Sequence, residues 1–149
     1  MAMGTRREQQ EELWIPTSTL ARPAGHPFYQ RVEQLLAEHD FDRFVEGLCR
    51  RFYAHVMGRP GLAPGIYFRL LLVGYFEGLD SERGIAWRAG DSLSVRDFVA
   101  IPLNEGAPDH TTISRTRRLI DLETHQQVFA WVLGLLARCG IGEGETDRD

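Results

Sequence analysis

The chain has 149 residues, of which 43% are apolar and 26% charged, and its formal net charge is −4. That length supports one domain with a substantial core, and the composition is that of a soluble globular protein. The acid excess excludes a uniformly basic nucleic-acid binder, so any such role must be local.

Residues 1–12 are polar and read as a disordered arm. "LWIPTSTLARPAGHP" follows as an extended stretch punctuated by prolines, with Trp14 and Ile15 expected to pack onto the domain from outside. Pro27 at a first helical position opens a helix through His39, with Phe28, Val32, Leu35 and Leu36 on one side. Asp40 is the expected N-cap of the next helix. There Phe41, Phe44, Val45, Leu48, Cys49, Phe52 and Val56 recur at helical spacing up to Gly58. After the "GRPGLAPG" turn, Pro64 starts a third helix to Leu79. It is apolar nearly all round and belongs at the centre of the domain. Gly74 and Gly78 would allow close packing on it. Asp80 or Ser81 caps "SERGIAWRA", which Gly90 stops. Ser92 begins "SLSVRDFVA", with Leu93, Phe98 and Val99 inward, and Pro102 ends it. A last helix over 122–138 carries the stripe Val128, Trp131, Val132, Leu135, Leu136 and Cys139, closed by Gly140. Residues 141–149 form an acidic Gly-rich tail. No segment alternates with period two, so the fold class is all-α: a compact multi-helix domain over 13–140 with an extended N-terminal arm.

The sequence restricts chemistry further. Cys49 and Cys139 match no metal spacing and read as reduced thiols of a cytoplasmic protein. "MAMGTRREQQEELW" lacks the apolar run of a secretory signal. "IYFRLLLVGYF" falls far short of the roughly 20 residues that span a bilayer, and Arg69 interrupts it, so no membrane partner is expected. The five histidines show no ligand pattern, and neither a phosphate-binding glycine loop nor a nucleophile elbow is present. All 17 basic residues are arginine. GC-rich codon choice and selection for phosphate contact leave the same mark.

One stretch breaks the acidic pattern. "APDHTTISRTRR", residues 107–118, holds Arg115, Arg117 and Arg118 after a Pro-Asp opening. Asp109 sits where an N-cap belongs, before a helix from His110 to Ile120. At 100° per residue Ile113, Thr116 and Ile120 face the core, whereas Thr111, Ser114, Arg115 and Arg118 face solvent. Arg117 lies at the border, its stem along the buried face. The first turn offers backbone N–H groups and a positive dipole end, which suit phosphate. Arginine can address guanine at two acceptors. The short helix before it and a tight connection would make a helix-turn-helix-like element. Periodicity alone reads the outer face as solvated, and Arg50 with Arg51 likewise.

Three motifs together shift that reading: "GRP" with its apolar helix, "GLDSERGIAWR", and "PDHTTISR". Over residues 13–139 the chain resembles the InsH-like N-terminal domain of DDE-type transposases from bacterial insertion sequences. The resemblance implies binding to DNA, at the terminal inverted repeats of a mobile element, in DNA transposition. By position it implicates His110, Thr111, Thr112, Ser114 and Arg115. Arg118 joins them from the helical wheel, and Arg59 of the "GRP" loop is a weaker candidate for backbone contact. It also implies that an RNase H-like catalytic domain would follow, in which three carboxylates hold two divalent metals. The chain stops at "GEGETDRD", and Asp147 and Asp149 lack the partner acids. The expectation is therefore a truncated, non-catalytic, nucleoid-associated DNA-binding part without a cofactor of its own. Its other partners would be itself or a full-length transposase. The rival expectation is a helical interaction module using Trp87, Trp131 and Phe98, or a decayed fragment.

Overall fold

Proline and short oxygen-bearing side chains set where the helices of this chain begin. The computed structural model describes residues 3, 26–53, 61–102 and 104–141. Among them are seven helices and no strand: α1 Pro27–Glu38, α2 Phe41–Tyr53, α3 Pro64–Glu77, α4 Glu82–Asp91, α5 Leu93–Val99, α6 His110–Leu119 and α7 Leu122–Arg138. The expected arm with Trp14 and Ile15, Val56, Arg59 of the "GRP" loop, and residues 142–149 of the tail with Asp147 and Asp149 lie outside the described residues, whereas Ile141, expected to open that tail, is buried and its N–H donates to the Leu136 carbonyl at 2.9 Å.

Pro27 and Pro64 occupy first-turn positions, where a missing N–H costs nothing. The side chains of Ser81, Ser92, Asp109 and Asp121 each accept from a backbone N–H three residues on. Asp40 differs from expectation. It turns the chain at φ 53° and accepts from Phe44 N through its backbone carbonyl at 3.1 Å. At the other ends, Gly78 at φ 68° and Gly140 at φ 79° close α3 and α7 in the left-handed region that glycine tolerates. Gly78 is thus a cap and not a packing glycine. Gly74 does serve packing: a Cβ there would meet Ile85 Cδ1 at 2.7 Å, so α4 lies directly against the α3 backbone.

α3 is the centre. Tyr67, Phe68, Leu70, Leu71, Leu72 and Val73 are all buried, as a helix apolar on every side requires. Against it pack α2, α4 and α5; α1 packs on α2, α5 and α7, and α7 packs on α1 and α2. Trp131 of α7 stacks on Phe44 of α2 with ring centroids 4.8 Å apart. Such a pair contributes about 0.5–1.5 kcal/mol beyond its area burial. Three details depart from the sequence reading. Helix α4 passes through Gly90 to Asp91. On α5 it is Val95, not Leu93, that turns inward, and Leu93 is 46% exposed. On α1 Tyr29 is buried while Phe28 is half-buried.

Arg69 sits inside this apolar centre with 3% of its surface exposed. Its guanidinium makes two bonds to Glu33 of α1 (2.9 and 3.1 Å) and two to Asp42 of α2 (2.8 and 2.9 Å). A fifth goes to the Gly65 carbonyl at 3.1 Å. Burial works against its charge, but the Asp42 and Glu33 carboxylates outweigh that and hold it firmly protonated. The interruption in the apolar run is therefore a clasp across three helices. It also explains Gly65, where an added Cβ would come within 1.9 Å of Asp42 Oδ1.

Candidate nucleic-acid interface

α6 is placed by its inner face. Ile113 (0% exposed), Ile120 (3%) and Thr116 (5%) are buried, as the wheel requires. Burying one isoleucine contributes about 1.5–3 kcal/mol, enough to fix which side of so short a helix faces out. The Thr116 hydroxyl donates to the Thr112 carbonyl at 2.9 Å, so its burial leaves no polar atom unmatched.

The outer face carries Thr111, Arg115 and Arg118, all exposed, while His110, Thr112 and Ser114 at its borders are half-buried. No carboxylate among the described residues lies within ion-pair distance of Arg115 or Arg118, and no hydrogen bond holds either. Arg117 behaves differently, as its border position implies. Its Nε sits 3.1 Å from Glu82 Oε1 of α4, the helix on which α6 packs. Two adjacent arginines thus have opposite fates: Arg117 ties α6 down and Arg118 is left to solvent. Arg51 is likewise engaged, with Asp121 at 3.2 Å and the Phe52 ring at 4.7 Å.

The first turn of α6 is not the open phosphate site that its dipole suggests. Asp109 Oδ1 accepts from Thr112 N at 2.8 Å and from the Thr112 hydroxyl at 2.9 Å. These bonds hold the Asp109 carboxyl below the usual range, so a negative charge stands where phosphate was expected. The hydroxyl proton of Thr112 is committed to this cap, which leaves Thr112 with acceptor capacity only.

The tight connection expected before α6 is also absent. Residues 100–109 separate α5 from α6, and α6 packs against α4. The tight corner lies between α4 and α5, which share Ser92 as C-cap and N-cap. The longer connection is pinned by Arg96, whose Nη2 donates to the carbonyls of Pro102 (2.9 Å) and Glu105 (2.6 Å). Sequence reasoning missed Arg96, although a basic residue in the last turn of a helix is a known signal for binding nearby carbonyls. Arg59 lies outside the described residues.

A second surface feature is an apolar groove of about 480 Å³ between α3, α4, α6 and α7, walled by Leu71, Tyr75, Ile85, Leu122 and Phe129. Tyr75 and Leu122 are 52% and 72% exposed at its rim. At its side the Tyr67 hydroxyl meets His125 Nε2 at 2.6 Å, and His125 Nδ1 lies 2.8 Å from the Asp121 carbonyl. That carbonyl only accepts, so Nδ1 carries the proton and Tyr67 donates to Nε2. Of the three aromatics proposed for protein contact, Trp87 is 73% exposed, but Phe98 is buried and Trp131 is half-buried in its stack.

Among the described residues no group of His, Cys, Asp or Glu converges to hold a metal ion. None of the described helices is long and apolar enough to cross a membrane. Residues 19–119 match a family model described as a transposase domain, DUF772. The matched span runs from the stretch before α1 to the end of α6, so it contains the arginine ridge and leaves α7 outside. No curated protein and no solved structure matches the chain.

Proposed function

The chain belongs to the transposase-domain family, and on that premise we propose that it is the DNA-binding N-terminal part of an insertion-sequence transposase of the DDE type. It recognises the terminal inverted repeats of its element and carries no strand-transfer chemistry itself. The observation that carries this reading is the pair Arg115 and Arg118 on the outer face of α6, which has no ion-pair partner among the described residues. Two arginines three positions apart on one helix face, about 4.5 Å along the axis at the backbone, can reach neighbouring phosphates or guanine edges. Thr111 assists from the same face, and His110 and Ser114 from its borders. The packing of Ile113 and the Arg117–Glu82 pair give the ridge a rigid base.

The test is a gel shift with duplexes carrying the inverted repeats that flank the gene, beside scrambled duplexes of equal length. Wild-type protein is expected to shift the repeats preferentially. The R115A/R118A double variant is expected to lose at least tenfold in affinity while keeping its helical circular dichroism. Equal binding by the double variant overturns the reading.

The apolar groove beside Tyr75 and Leu122 supports a second reading, a helical interaction module that docks a second copy or a catalytic chain. Sedimentation analysis separates the two. In that reading Tyr75→Ser with Leu122→Ser changes association and leaves DNA binding untouched.

A further inference from the structure

Charge is sorted along α6. Glu105 and Asp109, both exposed, precede its first turn, whereas Arg115 and Arg118, exposed and without an ion-pair partner among the described residues, lie in its second half. His110 is half-buried beside Asp109, and Arg117 is neutralised by Glu82. Asp109 accepts both bonds from Thr112 through Oδ1, and the Thr111 backbone N–H adds to the hold on the carboxylate. An ionised carboxylate offers acceptors and no donor, which suits the exocyclic amino groups that cytosine and adenine present in the major groove and repels a phosphate.

From this arrangement, and resting on the DNA-binding reading above, we infer that Asp109 is a specificity-determining residue: its carboxylate bars backbone phosphate from the first turn of α6. Binding through the ridge thereby becomes selective for base sequence. A helix N-terminus without a carboxylate attracts any phosphate through its dipole and free N–H groups. With Asp109 in place, only the arginine-bearing half can approach the backbone. The helix then has a single favourable polarity on the duplex, and the Asp109 end meets base edges or water.

The experiment uses the whole chain and two probes, a random-sequence duplex pool and the duplex carrying the flanking repeat. Affinities are measured across a salt series for wild type, Asp109→Asn, Asp109→Ser and R115A/R118A. Asn and Ser cap a helix about as well as Asp, so both variants keep α6 in place while removing the charge. The expected result is tighter binding of both charge-free variants to the random pool, by roughly twofold to fivefold, the size of a charge–helix-terminus interaction. Their salt slopes should steepen by about one, as for one added phosphate contact. The ratio of repeat to random affinity should fall. Unchanged affinity, slope and ratio in both, with binding still dependent on Arg115 and Arg118, would mean that Asp109 is a cap alone and overturns the inference. If R115A/R118A binds like wild type, the underlying reading fails and this inference falls with it.

Discussion

Arg69 and the pair Arg115 and Arg118 carry the same functional group in opposite settings. Arg69 is buried and meets four carboxylate oxygens and a carbonyl. Arg115 and Arg118 are exposed and meet nothing in the described chain. A guanidinium with every N–H direction satisfied inside the protein has nothing left to offer a ligand, and its work is holding α1, α2 and α3 together. One with all its donors turned to solvent contributes little to folding and remains available to an anion. Arg117 stands between these cases, since its ion pair with Glu82 joins α6 to α4 while half of its side chain stays exposed. In an arginine-only chain the partner, not the residue type, separates scaffold from interface.

Removing Arg69 tests the scaffold half most severely. Arg69→Ala strands Glu33 and Asp42 against each other and opens a hole in the clasp. The expected loss is about 2–4 kcal/mol of folding stability by urea titration. The carboxylates are partly exposed, at 37% and 57%, so hydration softens the loss. A loss within 0.5 kcal/mol, roughly the scale of an ordinary surface substitution, would mean that the clasp is not structural. Gly65→Ala strikes the same cluster by steric means, because its Cβ cannot share space with Asp42 Oδ1. About 1–3 kcal/mol is expected from that overpacking. At a temperature where both variants remain folded, both should retain the DNA affinity of the wild type. Loss of that affinity would blur the division between the two arginine groups.

How far the sequence alone carried this picture depends on whether the decisive contacts are local. The wheel over 110–120 placed Ile113, Thr116 and Ile120 inside because ten residues of regular helix leave little freedom. Asp109 and Ser81 were legible as caps, since capping involves residues three apart. The Arg69 clasp was not legible, for its partners arrive from two other helices and only folding brings them together. On α5 two turns are too few to define a stripe, so Leu93 was assigned inward and Val95 was overlooked. The connection before α6 looked tight because an irregular loop has no period to measure. The consequence of a carboxylate at Asp109 needed only local chemistry, yet the attraction of phosphate to helix dipoles concealed it.

The smallest expected effect concerns the caps. Asp109 and Asp121 are both held below the ordinary aspartate range, chiefly by their bonds to Thr112 and Thr124. Their contribution is therefore complete above the unfolded value of about 3.9 and is lost as pH falls through the lower folded value. Amide exchange at Thr112 and Thr124 should accelerate, relative to the rest of the core, only as pH drops below about 4. D109N and D121N should each abolish that dependence at its own site. A pH-independent ratio in the wild type would contradict the assignment of these caps.

The central claim is that Arg115 and Arg118 meet DNA phosphates or bases while leaving the fold indifferent to their loss. Fluorescence anisotropy of a labelled inverted-repeat duplex, titrated at salt between about 50 and 200 mM, measures it directly. Replacing both residues by alanine should lower affinity at every salt and flatten the plot of log K against log salt by up to about 1.8, the value if both neutralise phosphate, with the melting temperature unchanged. Superimposable plots for the two proteins would contradict the claim.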